Sequence, residues 1–118
     1  MSTDGANTSG EVTFVNRFTV HASPEEFERV FAEVSEFMTR QDGFLRNTLL
    51  QHVDEPHSFI NIAHWRDAAS FRKALAHPAF KPHAMTLRGL SASEPNLYAP
   101  RRSFSAGPAG DEAGRDLP

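Results

Sequence analysis

Residues 58–65 read Ser-Phe-Ile-Asn-Ile-Ala-His-Trp, and that alternation leaves few folds open. Successive side chains of a strand point to opposite faces. Phe59, Asn61, Ala63 and Trp65 therefore share one face, while Ile60, Ile62 and His64 share the other. Both faces carry large apolar groups, which calls for a covering layer on each side.

The flanking segments supply the rest of the sheet. Glu11 to Val20 alternates as a strand, with Val12, Phe14, Asn16, Phe18 and Val20 on one face and Thr13, Val15, Arg17 and Thr19 on the other. Ser23-Pro24-Glu25-Glu26 starts a helix: Ser23 as N-cap, Pro24 in the first turn and Glu26 closing a capping box. Phe27, Val30, Phe31, Val34, Phe37 and Met38 follow at helical spacing, and the helix is expected to end near Asp42-Gly43. A strand over Phe44–Val53, the turn Asp54-Glu55-Pro56-His57 and the strand Ser58–Trp65 form an antiparallel hairpin. Asp67 caps a helix carrying Phe71, Ala74 and Leu75 that breaks at Pro78. A second helical stretch spans about Ala79–Leu87, and a last strand is expected over Asn96–Phe104. The order β-α-β-β-α-β is a ferredoxin-like α+β arrangement, a four-stranded antiparallel sheet with helices on one face. The other face, with Val15, Ile60 and Ile62, still needs burial, and a second copy of the chain is the economical cover, giving a homodimer.

The 118 residues provide for one domain, expected over 11–104, between a flexible N-terminus (1–10) and a disordered Gly- and Pro-rich tail (105–118). No cysteine is present, which excludes a disulfide framework, thiolate metal sites and a Cys nucleophile. A net charge of -3, with no basic cluster beyond Arg101-Arg102, gives no reason to expect nucleic acid. No apolar run suits a membrane span or signal peptide, so the expectation is a cytoplasmic protein with no membrane partner.

Phosphate loops, His-Glu-x-x-His and GxSxG are all missing from the sequence. Six histidines occur, but beside His52 and His64 on paired strands no third ligand has a position that completes a metal site, and none is expected. The informative pattern is polar amides on apolar strand faces. Asn16 and Asn61 each bring two donors and an acceptor into such a face, and unmade bonds there cost about 1–3 kcal/mol. Asn61 and Trp65, four apart, point the same way about 13 Å apart at a rise of about 3.3 Å per residue. That span suits a flat polycyclic molecule. The pattern equally suits two asparagines bonded to each other or to a helix end, with Trp65 as core filler, and it leaves both arrangements open.

Val-Thr-Phe-Val-Asn16-Arg-Phe-Thr-Val, Gly43-Phe44-Leu45, Asn61-Ile-Ala-His-Trp65 and Phe71-Arg72 resemble the antibiotic-biosynthesis monooxygenase family of dimeric α+β barrels. Within it, the anthrone monooxygenases of aromatic polyketide pathways are the most similar branch. The resemblance covers about residues 11–104. It implies oxidation of an anthrone CH₂ to the quinone carbonyl by O₂, without flavin, haem or metal. It also implies Asn16, Asn61 and Trp65 as catalytic residues. Beside these, Phe14, Phe18, Phe59, Ala63, Phe71, His52 and His83 are expected around the substrate. A related branch uses an aromatic hydroxyl where this chain has Phe71, and its helix arginine finds no clear counterpart here, Lys81 and His83 being only nearby.

Two other readings belong to the same barrel. A haem-degrading branch shares the first-strand Asn but needs a Trp and a ligating His, near Ala74 and Ala84 here, with His83 one residue away. A polyketide cyclase or a non-catalytic binding protein is the other; a cyclase would need a general acid or base such as His52 or His83 in the pocket.

Overall fold

Four strands and three helices follow one another as β1 (Val12–Val20), α1 (Pro24–Thr39), β2 (Phe44–Gln51), β3 (Ser58–Trp65), α2 (Ala68–Ala76), α3 (Phe80–Leu90) and β4 (Ser91–Tyr98). The structure is a computed structural model and describes residues 10–107. The expected flexible N-terminus and disordered tail lie almost wholly outside the described residues.

The strands form one antiparallel sheet in the order β2-β3-β1-β4, the ferredoxin-like topology. Ser23 caps α1 as expected, its hydroxyl accepting from the Glu26 N–H at 3.1 Å. Pro78 ends the second crossover early: α2 stops at Ala76, and α3 restarts at Phe80 with Pro82 in its first turn.

The last strand differs from expectation. It begins at Ser91, directly after α3, and ends at Tyr98, so Asn96–Phe104 holds only its final residues. Ser91-Ala-Ser-Glu-Pro95 lacks the β-branched and aromatic content of a strand, yet its backbone pairs with β1 along its length. β4 is an edge strand, where one row of N–H groups faces away from the sheet and a proline costs no ladder bond. Pro95 therefore fits opposite Asn16.

All three helices pack on the face carrying Phe18, Phe59 and Trp65. The opposite face presents Val15, Ile60 and Ile62 half-buried, with Leu50 and Tyr98 exposed. Ion pairs Arg17–Glu94 and Arg46–Glu11 rim it.

The α1–β2 and β3–α2 junctions are tied together. Gly43 adopts φ +89°, and a Cβ there would collide with the Ser70 side chain. Its carbonyl accepts from the Arg66 N–H at 2.7 Å. The Arg66 guanidinium grips both oxygens of Asp42 (2.9 and 3.3 Å) and donates to Ser70 Oγ at 2.9 Å. Arg66 holds the Asp42 carboxyl below the usual carboxylate range. Asp67, which caps α2, is likewise lowered, chiefly by the Ser70 N–H it accepts.

Two outcomes follow from this junction. Gly43→Ala combines a left-handed backbone cost of about 1–2 kcal/mol with the Ser70 collision, and lowers the melting temperature by several degrees. Asp67→Ala lowers it at pH 7. Because the folded carboxylate has a depressed pKa, its contribution is present above the ordinary aspartate range and is lost as pH falls through the lower folded value. The gap between parent and Asp67→Ala in pH-dependent melts therefore closes on acidification.

Candidate active site

The inner face of the sheet is apolar at both ends and polar in the middle. One aromatic cluster joins Trp65, Val12, Ala63 and Phe71, with Phe14 and Phe44 packed against it. The other joins Phe18, Phe27, Phe31 and Phe59. Between them lie Asn16 and Asn61, directly opposed across β1 and β3, and Asn47 on β2 beside them.

The amides do not simply satisfy one another. Asn47 Nδ2 donates to Ser35 Oγ on α1 and to Asn61 Oδ1, each at 3.1 Å, so both its hydrogens are committed. This fixes the Asn61 amide with its oxygen toward Asn47 and its NH₂ left over. No hydrogen bond from Asn61 Nδ2 or Trp65 Nε1 occurs among the described residues, and both residues border an internal recess. Asn16 Oδ1 is buried and has no partner among the described residues. No bond joins the Asn16 and Asn61 side chains among the described residues; Asn61 reaches α1 only through Asn47.

Two recesses meet at Phe14, Asn16, Phe71 and Leu75. The inner one, about 90 Å³, is bordered by Asn47, Asn61, Ala63 and Trp65. The outer one, about 360 Å³, lies between α3 and β4 and has the size of a small-molecule site. It exists because the inward positions of β4 are Ser91, Ser93 and Pro95, opposite Val20, Phe18 and Asn16. Small groups there leave a gap that the phenylalanines of β1 and α3's Leu87 do not fill.

Of the residues singled out from the sequence, Asn16, Asn61, Trp65, Phe14, Phe18, Ala63 and Phe71 come together around these recesses. Three do not. Phe59 is 1% exposed inside the second aromatic cluster, with its ring 5.0 Å from Phe27, and borders neither recess. His52 sits beyond the end of β2, where Nδ1 accepts the Asp54 and Glu55 N–H groups and shapes the turn. His83 packs its ring on Phe37 at 5.3 Å and also borders neither recess. Among the described residues no cluster of three potential metal ligands occurs, and no helix is long and apolar enough to cross a membrane.

Three residues were missed. Asn47 was hidden by a bulge between Phe44 and Arg46, which lets Phe44 and Asn47 both face inward where strict alternation would part them. Ser35 stands between Phe31 and Met38 on the apolar stripe of α1, the same kind of signal as Asn16. Arg88, on the wall of the outer recess, belongs to α3, which continues through Leu90 past the expected end at Leu87.

The unequal bonding of the amides separates two variants. Asn47→Ala strands Asn61 Oδ1 and Ser35 and costs about 1–3 kcal/mol in chemical denaturation. Asn16→Leu removes an acceptor that has no partner, so it leaves stability unchanged or raised in the same experiment.

Comparison with known proteins agrees with this fold. Residues 12–84 match the family described as antibiotic biosynthesis monooxygenase. Deoxynogalonate monooxygenase of Streptomyces nogalater is 52% identical over 111 residues, 94% of this chain and 92% of that protein. The crystal structure of SnoaB, a cofactor-independent oxygenase from Streptomyces nogalater, superposes with a TM-score of 0.79 at 54% identity, covering 81% of this chain and 98% of that one. A monooxygenase-like structure from Shewanella loihica, 34% identical, gives a TM-score of 0.61 over 80% of this chain and 98% of that one. The absence of a cofactor, expected from the sequence, is what SnoaB is described as having. The chain belongs to the antibiotic biosynthesis monooxygenase family and is an oxidoreductase.

Proposed function

We propose that this protein is a cofactor-independent monooxygenase that oxidises an anthrone-type aromatic polyketide to the quinone with O₂. The observation that carries this reading is the composition of the recess wall. It is aromatic and apolar, its polar groups are amides, hydroxyls, an indole N–H and the Arg88 guanidinium, and neither a histidine nor a carboxylate borders it. The 52% identity to deoxynogalonate monooxygenase supports the same substrate class.

Oxygen chemistry normally needs a cofactor to supply electrons. An anthrone supplies its own. Loss of one CH₂ proton gives an aromatic enolate, which passes one electron to O₂. Recombination of the carbon radical with superoxide and a proton forms a hydroperoxide at that carbon. Loss of water from the hydroperoxide leaves the carbonyl, so each CH₂ and O₂ become C=O and H₂O.

The protein's part is electrostatic and steric. Asn61 Nδ2 and Trp65 Nε1, which make no hydrogen bond among the described residues, border an apolar recess and suit an oxygen on which negative charge develops. Asn16 Oδ1 is an acceptor and suits a substrate hydroxyl. Phe14 and Phe71, with ring centroids 4.7 Å apart, help wall a slot for a flat ring system. With no carboxylate or imidazole on the wall, the first proton leaves to the substrate's own phenolate or to water. The same wall speaks against a cyclase that works by general acid–base catalysis, and His83, turned onto Phe37, is not placed as a haem ligand.

The working form is read as a cytoplasmic homodimer joined through the outer sheet face. The half-buried Val15, Ile60 and Ile62 support this, because apolar strand faces call for cover.

Three measurements test the proposal. Oxygen uptake with an anthrone, after chelator treatment, proceeds with one O₂ consumed per quinone formed; ring closure without uptake would point to a cyclase. Asn61→Ala lowers turnover about 10²–10³-fold with the fold retained. Trp65→Phe also lowers it, but Trp65 is 1% exposed against Phe44 and Phe71, so it carries a stability loss that the sequence did not foretell. Parent rates in both variants would remove these residues from the mechanism. Ile62→Glu converts the dimer to a monomer in light scattering.

A further inference from the structure

We propose that Asn47, anchored by Ser35, is a positioning residue of this site: it turns the NH₂ of Asn61, rather than its oxygen, toward the bound ring system. This rests on the reading of Asn61 as a donor above and adds what makes it one.

The two ends of an asparagine amide have nearly the same shape, so packing alone does not choose between its orientations. Hydrogen-bond partners do. The orientation decides the sign of the interaction with a ligand. An NH₂ attracts an oxygen on which negative charge develops, whereas an amide oxygen in the same place repels it.

For Asn61 the choice is made from the neighbouring strand and a helix. Asn47 is half-buried on β2, just after the bulge between Phe44 and Arg46. Its direct register partner is Ala63, while Leu49 is the partner of Asn61, so Asn47 meets Asn61 on the diagonal. The short side chain of Ala63 permits that reach. Asn47 Nδ2 gives one hydrogen to Asn61 Oδ1 and the other to Ser35 Oγ on α1, both at 3.1 Å. Held through both hydrogens, Asn47 has no N–H left for a ligand and acts on one through Asn61. Ser35, Asn47 and Asn61 all border the inner recess, and no charged or titratable side chain does, so no ionic group competes to orient the amide.

The competing account is that these groups merely satisfy one another inside an apolar layer. That role predicts a change in stability, with any loss of turnover independent of residue 61.

Asn47→Asp keeps the shape and reverses the polarity. The new carboxylate accepts from Asn61 Nδ2 and from the Ser35 hydroxyl, and the Asn61 oxygen then faces the recess. With an anthrone, kcat for O₂ uptake is expected to fall about 10²–10³-fold with KM little changed, as for loss of the donor itself. Introduced into Asn61→Ala, the same substitution lowers kcat no further, because no amide remains to be turned. Parent kcat in Asn47→Asp, or losses that multiply in the double variant, would overturn the proposal. If Asn47→Asp does not fold, Ser35→Ala and Ser35→Thr carry the test. The first loses the anchor and lowers kcat, the second keeps the oxygen and retains it, and equal kcat in the pair overturns the proposal.

The amide is also read without turnover, from side-chain NH₂ resonances of isotope-labelled protein titrated with anthraquinone, whose carbonyl oxygens accept. The Asn61 resonances are expected to shift in the parent and not in Asn47→Asp; a shift in both or in neither would count against the positioning role. A parent that shows this pattern but consumes no oxygen would sink the monooxygenase reading and leave the positioning role standing.

Discussion

Amides placed in the middle of an apolar sheet face must find partners, and that requirement organises the interior of this protein. Without Asn16, Asn47 and Asn61 the two aromatic clusters would merge into one continuous core. Each unmade bond at such a place costs on the order of 1–3 kcal/mol. Asn47 meets much of the demand by reaching Ser35 on α1 and Asn61 on β3, which ties helix, hairpin and central strand together. What it leaves is as informative: the NH₂ of Asn61, the indole N–H of Trp65 and the carbonyl of Asn16. Among the described residues Asn16 Oδ1 is buried with no partner, a cost in stability that the proposed substrate contact would offset.

The edge strand complements that band. β4 pairs with β1 only, so it accepts Pro95, and its short inward side chains, Ser91, Ser93 and Pro95, leave space beneath α3. The outer recess is the space they leave. Polar groups thus arise from the centre of the sheet and volume from its edge, and the two adjoin at Asn16 because Pro95 is its register partner.

Much of the fold was legible because β1 and β3 keep strict alternation and α1 keeps a capped helical stripe. The topology, the break at Pro78 and the two strand asparagines all followed from those periods. β4 was misplaced because a strand that pairs on one side needs little intrinsic strand propensity. Its shift also hid Arg88, since α3 runs directly into it. Asn47 was lost to a one-residue bulge, which local composition does not announce. Phe59, His52 and His83 were grouped with the site from strand sharing, proximity in sequence or residue type. Phe59 is enclosed by the second aromatic cluster, and the two rings answer to a turn backbone and to Phe37.

By itself, then, the sequence determined which residues share a face: Asn16 with Phe14 and Phe18, and Asn61 with Ala63 and Trp65. Side-chain alternation is a local property of extended backbone and needs no knowledge of neighbours. Only the tertiary structure decided which amide atoms are consumed and which remain. That depends on a bulge in β2, a helix serine and a strand register, all of them contacts between segments distant in the chain. Asn61 was visible as an anomaly from the residues alone; its free NH₂, the feature its proposed chemistry needs, exists because Asn47 takes the oxygen.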